Sequence, residues 1–200
     1  MLDSKLRPLI DSPLNAFAGV MAARGINANI ITLAGFAFSL CAFAALAIQE
    51  YGGALFFIVL SRLADGLDGS VARASEKGAT DRGAYFDILS DFIFYAGAVF
   101  FFAVGRPETA LPAAFLIFSF IGTATSFLAY AIIAAKRGLE HRTEKSFHYA
   151  AGLCEGAETI AFLVLICLFP DWFAKLALAF GLLCWITAAG RALRAAKEFE

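Results

Sequence analysis

Six stretches of mostly apolar residues recur along the chain, at roughly 29–48, 53–74, 83–104, 109–135, 147–169 and 172–192. Each is near the roughly 20 residues that one helix needs to cross a bilayer's hydrocarbon core. The breaks between them carry turn or polar residues: Gly52-Gly53, the polar run 75–82, Gly105-Arg106-Pro107, the charged run 136–146 and Pro170-Asp171. The chain is 60% hydrophobic, above the roughly 45–50% of soluble domains, and its 22 Phe suit a lipid-facing surface better than a small soluble core. The pattern predicts an all-α integral membrane protein. Residues 1–200 form one membrane domain, with six transmembrane helices over 29–192 and a juxtamembrane segment over 1–28. No second domain, linker or strong repeat is visible.

In that segment Leu6, Leu9, Ile10, Leu14, Phe17 and Met21 recur at about helical spacing, and Ser12-Pro13 offers a helix start. It is too polar to span, so it reads as an interfacial amphipathic helix, with a plain packed juxtamembrane helix as the alternative. Alternating loops put 14 Lys and Arg on one side of the bundle and only Arg106 and Lys175 on the other. Positive loops stay cytoplasmic, so both termini and the loops 75–82 and 136–146 are expected there. The expected location is a bacterial cytoplasmic (inner) membrane, and no cleavable signal peptide is read. A net charge of −1 suggests no nucleic-acid partner. Cys41, Cys154, Cys167 and Cys184 fall in apolar runs without CxxC spacing and read as packed free thiols.

Against this apolar background stand four carboxylates: Asp65, Asp68, Asp87 and Asp91. One central Asp costs about 2.5–3.5 kcal/mol on insertion scales, so four uncompensated ones would cost on the order of 10 kcal/mol. Such residues persist where they line a wet cavity and are neutralised, usually for function. Asp65 and Asp68 are i, i+3 and Asp87 and Asp91 are i, i+4, so each pair shares a helix face. A short loop joins the two helices, which predicts antiparallel neighbours with the carboxylates converging near the cytoplasmic face. Carboxylate oxygens suit hard cations such as Mg²⁺ or Mn²⁺. Two such ions would cancel the charge and clamp a displacement at phosphorus. Gly66, Gly69, Ala72 and Gly83 remove bulk beside the acids, and Arg73 lies one turn past Gly69, where it could hold a diphosphate oxygen.

These residues resemble a family signature, D-x2-D-G-x2-A-R followed after a spacer by G-x3-D-x3-D. It is that of the CDP-alcohol phosphotransferases, membrane enzymes of phospholipid synthesis with six membrane helices. Here it reads Asp65, Asp68, Gly69, Ala72, Arg73, then Gly83, Asp87 and Asp91, and all eight fixed positions match. The spacer of nine residues is one longer than is common. The resemblance implies that Asp65, Asp68 and Asp87 ligate two divalent metals, and that Asp91 joins the metal site and acts as general base. It implies that Gly69, Ala72 and Arg73 shape the CDP and diphosphate pocket, beside Gly66 and Gly83. A weaker echo of the family's Pro-Asn-x-x-Thr is Ala28-Asn29-Ile30-Ile31-Thr32. Asn29 and Thr32 are therefore candidate nucleotide contacts, with a helix N-cap as the alternative for Asn29. The implied reaction moves a phosphatidyl group from CDP-diacylglycerol to a small alcohol, releasing CMP. A homodimer is implied by analogy alone.

The second half of the chain is expected to hold the acceptor. Lys136, Arg137, Arg142, Lys145, Glu155 and Glu158 are the candidate pocket residues, the two glutamates sharing a helix face; His141 and His148 read as interfacial. Members that use inositol phosphate resemble Gly-Leu-Ala-Glu-Arg-Ala-Glu-Arg here. This chain has Gly156 and Thr159 at the arginine positions, which argues against that acceptor because a phosphate is held best by guanidinium groups. Glycerol 3-phosphate and an unphosphorylated polyol or amino alcohol stay open. A divalent-cation transporter is the rival class, but it predicts mid-membrane acids with access from both sides.

Overall fold

The computed structural model describes residues 14–25, 27–75, 78, 80–138 and 156–199. Among them the regular elements are all helical: α1 (Leu14–Ala23), α2 (Ala28–Ala47), α3 (Tyr51–Ala74), α4 (Asp81–Gly105), α5 (Ala110–Lys136), α6 (Gly156–Leu168) and α7 (Phe173–Glu198). Single 3₁₀ turns, Pro107–Thr109 and Pro170–Trp172, lead into α5 and α7. Where they are described, the helices follow the apolar runs within a few residues, except that α7 continues past 192 to Glu198.

Among the described residues, four segments are long and apolar enough to cross a membrane: Ala28–Ala47, Asp81–Gly105, Pro107–Lys136 and Pro170–Glu198. Of the other two expected spans, one carries too much charge and the other is described only in part. Helix α3 has 24 residues, about 36 Å at 1.5 Å per residue, but it carries Arg62, Asp65, Asp68 and Arg73. The fifth run enters the described residues only at Gly156, leaving 13 helical residues.

The α2–α3 turn falls at Ile48–Glu50 rather than at Gly52-Gly53, which lie inside α3. Gln49 takes the left-handed conformation there (φ 63°), and its Nε2 donates to the Gly105 carbonyl at 2.8 Å. The same end of the bundle holds a second tie, in which Arg106 pairs with Glu108 and Asp171, both at 2.8 Å. Three interhelical turns are thus stitched together at one end.

Small residues let the helices close up, as expected inside a membrane. A Cβ on Gly35 would sit 3.1 Å from that of Ala64, and Ser39 and Ser61 hydrogen-bond across the α2–α3 seam at 2.8 Å. A Cβ on Gly105 would lie 2.5 Å from the Leu46 carbonyl oxygen. The main core runs through α2–α7 and is aromatic, with Phe102 stacked on Phe173 at 4.1 Å and Phe162 on Phe180 at 5.0 Å.

A smaller cluster of Ala18, Ile31, Ala64 and Val71 seats α1 on α2 and α3, with Met21 packed against it. Phe17, expected on the same apolar face, instead points outward, 64% exposed. Cys167 and Cys184 are buried and Cys41 is exposed, all as free thiols; Cys154 lies outside the described residues.

Candidate active site

Asp65 and Asp68 sit one turn apart on α3, and Asp87 and Asp91 one turn apart on α4. Helix α4 starts where the polar loop ends: the Thr80 hydroxyl caps it by accepting from the Gly83 amide at 3.1 Å. The two acidic helices are not the packed neighbours that the short loop suggested. Helix α2 packs along both, while α3 and α4 barely touch backbone to backbone. Side chains close the gap. Arg62 of α3 pairs with Asp91 of α4, and all four carboxylates lie within electrostatic reach of one another.

Their surroundings differ. Asp68 is 6% exposed and takes a hydrogen bond from the Thr32 hydroxyl at 2.5 Å. Asp65 and Asp91 are about one-third exposed and both face Arg62, whereas Asp87 is exposed. In the sequence Arg62 is only one more positive charge. Its spacing of three residues before Asp65 was the available signal. Its Nη1 lies 2.5 Å from Asp91 Oδ1 and 3.5 Å from Asp65 Oδ2.

The remaining motif residues sort by position. Arg73 is exposed and folds back along α3, with Nη2 donating to Ser70 Oγ at 3.0 Å. A Cβ on Gly69 would meet Arg73 Nη1 at 3.3 Å, and one on Gly66 would meet Leu14 of α1 at 3.2 Å. Gly69 thus makes room for the arginine, and Gly66 for α1. Ala72 is half-buried on the same helix. Asn29 does not cap α2. Asn27 does, accepting from the Asn29 amide at 3.0 Å, which leaves the Asn29 side chain exposed in the first turn.

A cavity of about 300 Å³ opens beside the carboxylates. Asp91, Tyr95, Thr123, Gly156, Thr159 and Arg191 contribute to its wall, from α4, α5, α6 and α7. Arg191 also donates to the Thr123 carbonyl at 3.1 Å. Of the expected acceptor residues, Lys136 is exposed, and Arg137 is spent on the carbonyls of Glu198 and Phe199 at the end of α7. Glu158 is half-buried on α6 but is not part of the cavity wall. Arg142, Lys145 and Glu155, with His141 and His148, lie outside the described residues.

The model of the CDP-alcohol phosphatidyltransferase family matches residues 26–190. The chain belongs to that family. It is therefore an enzyme of the CDP-alcohol phosphatidyltransferase type, which displaces the transporter alternative. It is 47% identical over 194 residues to inner membrane protein YnjF of Escherichia coli (strain K12), covering 96% of this chain and 93% of that protein. It is 31% identical over 102 residues to the archaetidylinositol phosphate synthase of Pyrococcus horikoshii, covering 51% and 54% of the two chains. The fold is similar to that of the Mycobacterium tuberculosis phosphatidylinositol phosphate synthase (PgsA1) with CDP-DAG bound, at a TM-score of 0.60 and 16% identity over 90% of this chain and 91% of that one.

The donor chemistry of the acidic cluster fits a hard dication: four carboxylates and a hydroxyl face one guanidinium, so negative charge is in excess. As the side chains stand, no three His, Cys, Asp or Glu among the described residues form a ready cage. Asp68 is held by Thr32 and Asp91 by Arg62. Metal entry would therefore use the second oxygen of each of these carboxylates, which Thr32 and Arg62 leave open.

Proposed function

We propose that this enzyme transfers a phosphatidyl group from CDP-diacylglycerol to a small alcohol and releases CMP. The observation that carries the reading is the double membership of Asp91, which belongs to the acidic cluster and also to the cavity wall. A base at that junction can reach an alcohol on one side and a diphosphate on the other. Two divalent ions, Mg²⁺ or Mn²⁺, held by Asp65, Asp68, Asp87 and Asp91, would neutralise the diphosphate and the leaving oxygen.

The protein's own residues do the rest. An alcohol is a poor nucleophile at pH 7, so Asp91 takes the hydroxyl proton as the acceptor oxygen bonds to the lipid-side phosphorus. The bond from that phosphorus to the CMP oxygen breaks in the same displacement. Arg73 swings from Ser70 to hold a diphosphate oxygen, and Gly66, Gly69, Ala72 and Gly83 let the CDP group approach the helix backbones. Thr32 holds Asp68 in place, and Asn29 stands exposed at the head of α2, where a nucleotide could meet it.

The acceptor belongs in the cavity beside Asp91. Thr159 and Gly156 in its wall weigh against an inositol phosphate, although the relatives named above include two inositol-phosphate-type synthases. A second reading, glycerol 3-phosphate as acceptor, is favoured by Arg191, whose guanidinium could hold a phosphate in the same wall. The chain is proposed to work as one six-span domain in a cytoplasmic membrane, as a homodimer. Its termini and site face the cytoplasm, and α1 lies along the interface.

The test is CMP release from CDP-diacylglycerol in detergent with a panel of acceptors, with and without EDTA. Turnover that needs a divalent ion and one small alcohol supports the reading. Release that ignores EDTA, or none with any acceptor, overturns it. Robust inositol-phosphate turnover overturns the acceptor assignment alone.

A further inference from the structure

Arg62 is the most tightly held charged side chain that the reaction above leaves without a task. Its side chain is 11% exposed. Nη1 pairs with Asp91 and Asp65, Nη2 donates to Ser61 Oγ at 3.2 Å, and the guanidinium lies 4.1 Å over the Phe94 ring. Its Nε is buried without a hydrogen-bond partner among the described residues.

Two features separate this from a stability device. A buried donor left unmet weakens the fold, so the position is not optimised for stability. The pair with Asp91 also crosses the gap between α3 and α4, where backbone contact is almost lacking. A carboxylate has two oxygens. Held at Oδ1 by a rigid, stacked guanidinium, Asp91 presents the other from a fixed direction.

We propose that Arg62 is the positioning residue for Asp91: it reaches from α3 to fix the base of α4 at the border between the acidic cluster and the acceptor cavity. It divides the four carboxylates, leaving Asp68 and Asp87 without an arginine, while Asp91, held at Oδ1, keeps the orientation that proton removal needs. The inference rests on the reading of Asp91 as the base.

The test compares wild type, Arg62→Gln and Arg62→Lys in detergent, by steady-state kinetics and by Mn²⁺ binding followed by electron paramagnetic resonance. Arg62→Gln is expected to lower kcat by about tenfold to hundredfold, the range that misplacing a reacting group by an ångström produces. KM for CDP-diacylglycerol should stay within about threefold of wild type, and Mn²⁺ affinity should not fall. Arg62→Lys, whose ammonium can reach Asp91 but cannot form the planar fork, should recover part of kcat. It carries the test alone if the glutamine variant does not fold. A folded variant with wild-type kcat overturns the inference, as does Mn²⁺ affinity falling in step with kcat, which would place Arg62 in the metal site. Wild-type protein that releases no CMP sinks the reading of Asp91 first and the inference with it.

Discussion

Thr32→Val probes the least accessible of the four acids. The substitution keeps the side chain's shape and removes the hydroxyl that donates to Asp68 at 2.5 Å. Asp68 is 6% exposed, so water cannot readily replace the lost donor. A hydrogen bond to a charged group contributes about 1.5–3 kcal/mol. In a chain of this length each kcal/mol moves Tm by roughly 2–4 °C, so a fall of about 3–12 °C is expected. The assay is thermal unfolding in detergent, with Thr32→Ser as a control that keeps the hydroxyl and should melt near wild type. Saturating Mn²⁺ should narrow the gap between Thr32→Val and wild type, because an ion bound at Asp68 takes over the role of the missing donor. A folded Thr32→Val that melts with wild type without metal would refute the argument that this hydroxyl sustains the buried carboxylate. An unchanged gap in Mn²⁺ would refute Asp68 as a ligand.

The other predictions are shorter. Asp91→Asn should keep CDP-lipid binding but lose turnover, measured by equilibrium binding beside CMP release. Arg191→Gln should raise KM for a phosphorylated acceptor by about tenfold or more and leave KM for CDP-diacylglycerol unchanged; acceptor kinetics decide this. Gly105→Ala should cost about 1–3 kcal/mol by overpacking, because its Cβ would meet the Leu46 carbonyl, a backbone atom, at 2.5 Å. Gly52→Ala, with open space around it, should be neutral or mildly stabilising, and thermal melts of the two variants side by side check both.

Much of the candidate site was legible because charge in an apolar run is costly and so conspicuous. The four aspartates stood out on that ground, and their spacing fixed which pairs share a helix. What stayed hidden depends on how helices are arranged in space. A short loop between α3 and α4 implied contact, yet α2 packs against both and holds them apart. Arg62 looked like an ordinary juxtamembrane cation, since sequence does not reveal that its guanidinium turns inward to Asp91. The wall that Arg191 and Thr123 build with Asp91 joins α4, α5 and α7, separated along the chain by whole spans. Turn placement misled for a local reason: Gly52-Gly53 looked like the break, but Gln49 takes the left-handed position and the glycines continue the helix.

The stitches from Gln49 to Gly105 and from Arg106 to Asp171 give the bundle a base, like the rivet of a folding fan. Helices pinned there can spread only at their opposite tips, and those tips carry the aspartates. A long helix turns a small tilt at the rivet into a wide sweep at the rim.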